Sequence, residues 1–329
     1  MTTQITLIGL GQIGASMGLA LGSKKDLLLR VGYDREMKIA RQAESIGAID
    51  RVEAYLSKAV QGADLVVLAI PLSQIQETLE LVVPHLRENA VVMDTAPLKK
   101  VVDTWVGNLF PEGRHYVGLL PAINPAYLHS MGRGIEAAHA DLFQKGLMVI
   151  MASSHANSDA VKLATDLTQL LGSTPLFADS EEVDGLMSAA NLLPQLMAVA
   201  LINATMDKPG WREGRKLAGK EYAGASILLS NLNDIGSLKS ATLLNRENSL
   251  RVLDNAIYAL SNIRTDIERE NEEALEELLR HAQSARENWW KDRQAGEWLG
   301  DGLPPVDTTE IPSMFTRMFG VGKRPKTKK

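Results

Sequence analysis

A glycine-rich turn near the start of the chain carries the strongest sign of chemistry in the sequence. An apolar run leads into Gly9-x-Gly11-x-x-Gly14, and a helix-compatible segment follows. The first glycine permits a tight turn after a strand, the second lets the backbone approach a pyrophosphate, and the third lets helix and strand pack closely. The N–H groups at the start of the helix, including those of Gln12 and Ile13, favour phosphate. The pattern predicts a dinucleotide-binding site.

A carboxylate follows the glycine turn at the distance that a dinucleotide requires. A second apolar run ends at Asp34, about twenty residues beyond Gly14, where a carboxylate accepts hydrogen bonds from the adenosine ribose. Because this carboxylate would face the 2′-phosphate of NADP, the sequence favours NAD, although Arg35 could stack on adenine or pair with that phosphate. Ile70 and Pro71, at the end of a later strand, complete the predicted cofactor contacts.

Four polar side chains are candidates for the catalytic groups. Lys99 follows the strand that ends at Asp94, and it could hold a substrate carboxylate or the cofactor; the alternative is a solvated lysine at a helix start. Asn124 lies in a proline-flanked loop, a rigid setting that suits an orienting amide. Asn191 and Gln195 share one helical face at i, i+4 spacing, although Gln195 could equally be a buried structural amide.

Alternating strand and helix patterns must position these residues in the first half of the chain. The pattern predicts a doubly wound parallel sheet, that is, an N-terminal Rossmann domain over residues 1–178 in an α/β fold. The predicted strands lie at residues 5–8, 27–33, 64–71, 90–94, 116–121, 147–151 and 174–178.

The second half of the chain reads as an all-helical domain over residues 179–295. Residues 182–206 form one long apolar-rich helical pattern, and apolar residues recur at three- and four-residue steps after Asn248. These stripes exceed what one short bundle easily buries, which favours a homodimer interface over a monomeric bundle with a wide core.

The chain ends in a basic segment, residues 296–329, which is rich in proline and glycine and predicted to be irregular. Apolar residues within it follow helical steps: Ile311, Met314, Phe315, Met318 and Phe319. We interpret them as a short helix packing on a partner subunit, with docking on an anionic membrane as the alternative.

Composition excludes several classes of function. A net charge of −5 argues against a general nucleic-acid binder, and the absence of cysteine excludes disulfides and thiolate chemistry and suits a reducing cytosol. No spacing of His, Asp and Glu resembles a metal site. The first strand begins at the N-terminus, which leaves no room for a signal peptide, and no apolar run approaches the ~20 residues that span a bilayer. We expect a soluble cytoplasmic protein with no membrane partner.

The order of elements, the glycine turn with Ser16, the turn from Asp94 to Lys99 and the long helix opening near Asp184 resemble the prephenate/arogenate dehydrogenase family. The resemblance covers roughly residues 4–290 and is strongest in the first 100. It implies a Rossmann domain joined to a helical dimerisation domain. It also implies nicotinamide-dependent oxidation of the ring hydroxyl of prephenate or arogenate, with loss of carbon dioxide, in tyrosine biosynthesis.

The chain departs from the family's pattern at its catalytic positions. Pro97 occupies the family's serine position and Leu120 its catalytic histidine position. On the long helix, three further histidine positions hold Val183, Leu192 and Gln195. A leucine cannot accept a proton, so the family's general base is absent from its expected position.

The substrate-binding positions differ as well. The resemblance implies an arginine near residues 225–229, where Ala-Ser-Ile-Leu-Leu carries no cation. In the wider superfamily of β-hydroxyacid dehydrogenases, an asparagine matched by Asn191 contacts substrate four residues after a lysine, and Met187 replaces that lysine. Among the histidines, His129 is the leading candidate for a replacement base.

Together these observations predict an NAD(P)-dependent oxidoreductase of the prephenate dehydrogenase type, acting on a small hydroxy acid with an altered substrate or mechanism. Two alternatives stay open. One is a catalytically inactive NAD-binding sensor or regulatory dimer, and the other is a dehydrogenase of a different small hydroxy acid.

Overall fold

The structure, a computed structural model, describes residues 3–24, 26–130, 132–230 and 234–296. The chain divides into two compact units. Among the described residues, the first comprises residues 3–70, 74–179 and 290–296, and the second comprises residues 71–73 and 180–289. The predicted basic tail and its apolar steps lie, apart from Gly296, outside the described residues.

The first unit contains an eight-stranded sheet in the order β3-β2-β1-β4-β5-β6-β7-β8. The strands are β1 (Thr3–Ile8), β2 (Leu28–Tyr33), β3 (Arg51–Val52), β4 (Leu65–Leu68), β5 (Val91–Asp94), β6 (His115–Ala122), β7 (Leu147–Ala152) and β8 (Thr174–Phe177). Strands β1 to β6 pair in parallel, as do β7 and β8. The doubly wound Rossmann sheet predicted from the sequence is confirmed.

One pairing differs from the prediction of a fully parallel sheet. Strand β7 runs antiparallel to β6, with Leu120 opposite Val149. A parallel return requires a crossover, usually an α-helix, whereas the described residues between β6 and β7 form only the short 3₁₀ turns Pro125–Tyr127 and Gly134–Ala137. The chain therefore re-enters the sheet in the opposite direction.

Helices flank the sheet because its central strands are apolar on both faces. Leu7 and Ile8 are adjacent on β1 and so point to opposite faces, and both are buried, which is typical of a parallel sheet covered on both sides. The helices of the first unit are α1 (Gln12–Ala20), α2 (Met37–Ser45), α3 (Leu56–Val60), α4 (Leu72–Val82), α5 (Lys100–Leu109) and α6 (Ser158–Leu170), of which α4 begins in the second unit.

The second unit is helical, as predicted. It contains α7 (Ser180–Met187), a π-helical turn (Ser188–Leu192), α8 (Leu193–Thr205), α9 (Trp211–Leu217), α10 (Lys220–Ser230), α11 (Ile235–Leu244), α12 (Arg246–Glu268) and α13 (Glu272–Ala295). The last turns of α13, from Trp290, group with the first unit. There the Arg293 guanidinium donates to the carbonyl of Ile123.

The helical stretch Ser180–Thr205 corrects one prediction. Its 26 residues are long and apolar enough to cross a membrane by length and composition. The expectation that no such run exists is therefore wrong, because the helix continues through the polar residues at which the apolar pattern is interrupted. A single helix of this kind carries little weight, since core helices of soluble proteins meet the same criterion.

Candidate cofactor and active site

The glycine turn between β1 and α1 leaves no space for side chains at two of its three glycines. Gly9 has a φ of +87°, and a Cβ there would lie 2.4 Å from the carbonyl oxygen of Ala69. A Cβ on Gly14 would lie 1.9 Å from the carbonyl oxygen of Gly9. Both obstacles are backbone atoms, so no rotamer change relieves them, and the protein's own packing requires both glycines.

The third glycine is different, because the protein itself does not fill the space beside it. A Cβ on Gly11 would meet no atom within 4 Å, and Gly11 is the N-cap residue of α1. Within the described part of the chain, no side chain caps this helix start. Open space beside Gly11 and an uncapped helix start, which is the positive end of the helix dipole, fit the pyrophosphate of a dinucleotide.

Asp34 holds the glycine turn through a hydrogen bond that spacing alone does not reveal. Its Oδ2 accepts from the backbone N–H of Leu10 at 2.8 Å, and its Oδ1 accepts from the N–H of Glu36 at 2.9 Å. Each carboxylate oxygen keeps a further lone pair that a ribose hydroxyl could use. The adjacent Arg35 is exposed.

The end of β4 lies against the same turn. The N–H of Ala69 donates to the carbonyl oxygen of Ile8 at 2.8 Å, and Ile70 Cγ2 would lie 2.7 Å from a Cβ on Gly9. The structure thus brings Ile70, the glycine turn and Asp34 together at the carboxyl ends of β4, β1 and β2. This is the point at which the strand order reverses, where doubly wound sheets bind ligands.

Lys99, the first catalytic candidate, is part of a buried polar cluster. Its Nζ lies 2.9 Å from Asp94 Oδ1 and 3.2 Å from the Asp94 carbonyl oxygen, and its side chain is 1% exposed. The Tyr116 hydroxyl donates to Asp94 Oδ2 at 2.5 Å. The alternative of a solvated lysine is therefore wrong. This ion pair spans the turn that follows β5, and Asp94 Oδ1 also accepts from the N–H of Ala96 at 2.7 Å.

Sequence reasoning missed the two residues of β6 that make this cluster possible. Tyr116 supplies the hydroxyl, and Gly118 leaves the space, because a Cβ there would lie 2.8 Å from Lys99 Cδ. A glycine inside a strand pattern often marks such a close approach, so Gly118 was the available signal.

Asn124, the second candidate, is bound to the backbone of its own loop. Its Oδ1 accepts from the N–H of Ala126 at 3.0 Å, and its Nδ2 donates to the carbonyl oxygen of Asp141 at 3.2 Å. It caps the 3₁₀ turn that begins at Pro125. These contacts support a structural role, and an orienting role toward substrate stays a prediction.

The histidines near this loop have aromatic neighbours. His129 is exposed and packs against Trp290, with ring centroids 4.8 Å apart. His139 stacks on Tyr127 at 4.2 Å, and its backbone N–H donates to Ser16 Oγ at 2.9 Å. A hydrogen bond to Asp141 raises the pKa of Tyr127 above its ordinary value. The described contacts do not single out a replacement base among them.

Asn191 and Gln195, the candidates of the second unit, interact directly. Gln195 Nε2 donates to Asn191 Oδ1 at 3.1 Å and to the Asn191 carbonyl oxygen at 2.9 Å, so the two side chains share a helical face as predicted. Asn191 is exposed and Gln195 half-buried, so the alternative of a buried amide for Gln195 is not observed.

Asn191 lies in the π-helical turn that precedes α8. Pro194 lacks an N–H, which removes one helical hydrogen bond at this point and accounts for the irregular turn. Asn245 Nδ2 stabilises the turn by donating to the carbonyl oxygen of Asp184 at 3.1 Å and to Ser188 Oγ at 2.8 Å. Such π turns occur frequently at functional sites.

Comparison with known proteins agrees with this geometry. The family model described as prephenate dehydrogenase, nucleotide-binding domain, matches residues 18–174. The first half of the chain is thus similar to the nucleotide-binding domain of prephenate dehydrogenases. It is 24% identical over 286 residues to the cyclohexadienyl dehydrogenase of Zymomonas mobilis, covering 86% of this chain and 94% of that protein. It is 25% identical over 334 residues to the prephenate dehydrogenase of Bacillus subtilis, covering 99% of this chain and 82% of that protein.

Solved structures of similar proteins share the fold. The prephenate dehydrogenase of A. aeolicus, in complex with hydroxyphenyl propionate and NAD+, has a TM-score of 0.76 and 21% identity, covering 88% of this chain and 98% of that one. The arogenate dehydrogenase of Synechocystis has a TM-score of 0.68 and 21% identity, covering 87% of this chain and all of that one. These structures support the fold that the sequence predicts.

Proposed function

We propose that this protein is an NAD-dependent dehydrogenase of the prephenate dehydrogenase type that acts on a small hydroxy acid. Its similarity to prephenate and cyclohexadienyl dehydrogenases supports this proposal and suggests a role in tyrosine biosynthesis. The observation that carries it is the contrast within the glycine turn. Backbone atoms leave no room for a side chain at Gly9 or Gly14. In contrast, the space beside Gly11 is open, at a helix start that no described side chain caps. Asp34 at the predicted ribose position favours NAD over NADP.

A bound nicotinamide supplies the acceptor for the hydride that leaves the carbon bearing the hydroxyl group. The protein must hold the acid and accept the hydroxyl proton. Leu120 cannot take that proton, and loss of a general base typically lowers the rate by about 10²–10⁴. Segment 225–229 offers no guanidinium to grip a carboxylate with two hydrogen bonds. We therefore propose a substrate or a proton route that differs from the family's usual one.

The polar groups that remain suit binding and positioning. We propose that Asn191 and Gln195 contact the substrate, because their amides are accessible, share a helical face and lie at a π turn. Lys99 holds the turn after β5 through its buried ion pair with Asp94, and Asn124 holds the loop after β6.

We further propose that the protein is a cytoplasmic homodimer that associates through its helical unit. Large apolar side chains of this unit are exposed in the single chain, among them Leu186, Ile235, Leu243, Leu250, Ile257, Leu260, Ile267 and Leu279. An apolar surface of this extent is typical of a subunit interface. Sedimentation should detect a dimer for the wild type and a shift toward monomer for Ile257→Asp. A wild type that stays monomeric at micromolar concentrations would contradict the proposal.

A regulatory NAD-binding dimer without catalysis is the second candidate function. It is favoured by Leu120 at the position of the family's base and by the burial of Lys99. Both functions predict that NADH binds, which calorimetry measures, and absence of binding would contradict both. Assays of NADH formation over prephenate, arogenate and a panel of β-hydroxy acids separate them. Turnover of any of these acids supports the dehydrogenase, and binding without turnover supports the regulator.

A further inference from the structure

Two serines and one aspartate connect the start of α4 to the start of α11. Ser73, the second residue of α4, donates a hydrogen bond from its hydroxyl to Asp234 Oδ2, and its backbone N–H donates to Ser237 Oγ at 3.3 Å. The hydroxyl of Ser237 lies 3.3 Å from that of Ser73. Ser73 thus makes contacts with a segment more than 160 positions later in the chain.

Asp234 also caps α11 without help from Ser73. Its Oδ1 accepts from the N–H of Gly236 at 2.8 Å, and its Oδ2 accepts from the N–H and the hydroxyl of Ser237 at 3.0 and 2.8 Å. These bonds already satisfy what an N-cap aspartate normally provides. The bond from Ser73 is additional to the cap, so its removal should leave α11 intact.

The chain between this contact and the glycine turn is short and stiff. Ile70 lies against Gly9, and only Pro71 and Leu72 separate it from Ser73. Proline fixes its own φ and restricts the backbone of the preceding residue to extended conformations. Leu72 is 2% exposed and is therefore fixed by packing. Fixing the position of Ser73 therefore also restricts the position of Ile70 at the end of β4, because the residues between them have little conformational freedom.

We propose that Ser73 and Asp234 are positioning residues that hold the Ile70–Pro71 edge of the cofactor site in the geometry that receives the dinucleotide. The inference rests on the proposed NAD binding. In this proposal, Ser73 and Asp234 contact neither cofactor nor substrate. They raise the affinity for the dinucleotide by fixing the residues at the end of β4. Loosely supported sites lose affinity because ligand binding must then order them.

The main test is Ser73→Ala, because this change removes the hydroxyl and leaves the cap of α11 in place. We expect the Kd for NADH to rise about fivefold, which corresponds to a typical single hydrogen bond. The thermal midpoint should match that of Ser45→Ala. Ser45 is the control because its hydroxyl donates only to the carbonyl oxygen of Gln42 in its own helix, at 2.7 Å.

Two further variants separate positioning from general destabilisation. Ser73→Thr keeps a hydroxyl and should restore the wild-type Kd. Asn271→Ala removes the side chain that accepts from the N–H of Ala274 at 3.2 Å at the start of α13, so it should lower the midpoint without changing the Kd. If wild-type protein binds NADH and Ser73→Ala binds it equally well, the positioning role is wrong. If the wild type does not bind NADH, the proposed function is wrong and this role with it.

Discussion

The two units of the chain bury their apolar side chains to very different extents. The first unit encloses a dense core on both faces of its sheet, and even large side chains such as Tyr116 and Phe143 are fully buried. In the second unit, the buried apolar residues among those described are small in number: Leu72, Val183, Leu192, Ala198, Ala241 and Val252. Since apolar burial is the dominant stabilising contribution, the first unit has its own source of stability, whereas the second would gain stability from the second copy proposed above.

Truncation of one apolar side chain in each unit tests this contrast most strongly. Phe143→Ala should lower the free energy of unfolding by about 3–5 kcal/mol, because it leaves a cavity in a closed core. Ile257 is 60% exposed in the single chain, so Ile257→Ala should cost less than about 0.5 kcal/mol in a monomer. Urea denaturation monitored by circular dichroism measures both.

Protein concentration sharpens the same comparison. If the helical unit is covered by a second copy, the cost of Ile257→Ala should grow as the concentration rises, whereas the cost of Phe143→Ala should not. A large cost for Ile257→Ala in dilute, monomeric protein would mean that the unit has a core of its own. The contrast between the units would then be wrong.

The glycine turn provides a second comparison, between packing and ligand binding inside one loop. Gly14→Ala places a Cβ against a backbone oxygen and should cost at least about 1–3 kcal/mol in unfolding free energy. Gly11→Ala has free space and should leave the unfolding free energy within about 0.5 kcal/mol of wild type. Both should lose NADH binding, since the added methyl group at Gly11 would occupy the space proposed for the phosphates.

Thermal unfolding and NADH fluorescence measure these effects on the same samples. Unchanged NADH affinity in a folded Gly11→Ala protein would mean that the open space beside Gly11 is not the phosphate site. Gly224→Ala, also at a glycine with open space but within α10, is the matched control; it should leave NADH affinity unchanged and raise the unfolding free energy by about 0.5–1 kcal/mol, the usual gain from alanine in a helix.

The features that the sequence predicts correctly depend on local spacing. The glycines, the strand before them and Asp34 lie within one βα unit and its next strand, so their relation follows from element lengths. The shared face of Asn191 and Gln195 likewise follows from helical geometry. Such relations need no knowledge of the rest of the fold.

The features that the sequence does not predict depend on residues far apart in the chain. The burial of Lys99 requires the space left by Gly118 and the hydroxyl of Tyr116, both on the next strand. The antiparallel direction of β7 depends on the connection that precedes it, whose described residues form 3₁₀ turns and no α-helix. The contact of Ser73 with Asp234 joins two segments that no local sequence pattern relates. Long-range contacts of this kind become visible only in the folded structure.

Two aspartates, one in each unit, give the smallest but most direct test of the contrast in packing. Burial raises the pKa of Asp166 on α6 above the ordinary value of 3.8, and its Oδ2 has no hydrogen-bond partner among the described residues. The folded state therefore binds a proton more tightly than the unfolded state. Stability is lost as the pH rises from 3.8 through the raised pKa, because the buried carboxylate must then carry its charge.

Asp166→Asn should accordingly stabilise the protein at pH 7, by on the order of 1 kcal/mol, with the gain vanishing below about pH 3.8.

Asp234 behaves in the opposite way. The hydrogen bond from Ser73, followed by those from α11, lowers its pKa, so its stabilising contribution is present above 3.8 and is lost as the pH falls through the lowered value. Asp234→Ala should cost about 1 kcal/mol at pH 7, the usual effect of a lost N-cap. Urea denaturation of both variants at pH 7 and near pH 3 measures the two signs. If Asp166→Asn instead destabilises the protein at pH 7, the charged carboxylate makes a stabilising interaction in solution. Burial in the core of the first unit would then not be what sets the contribution of Asp166 to stability.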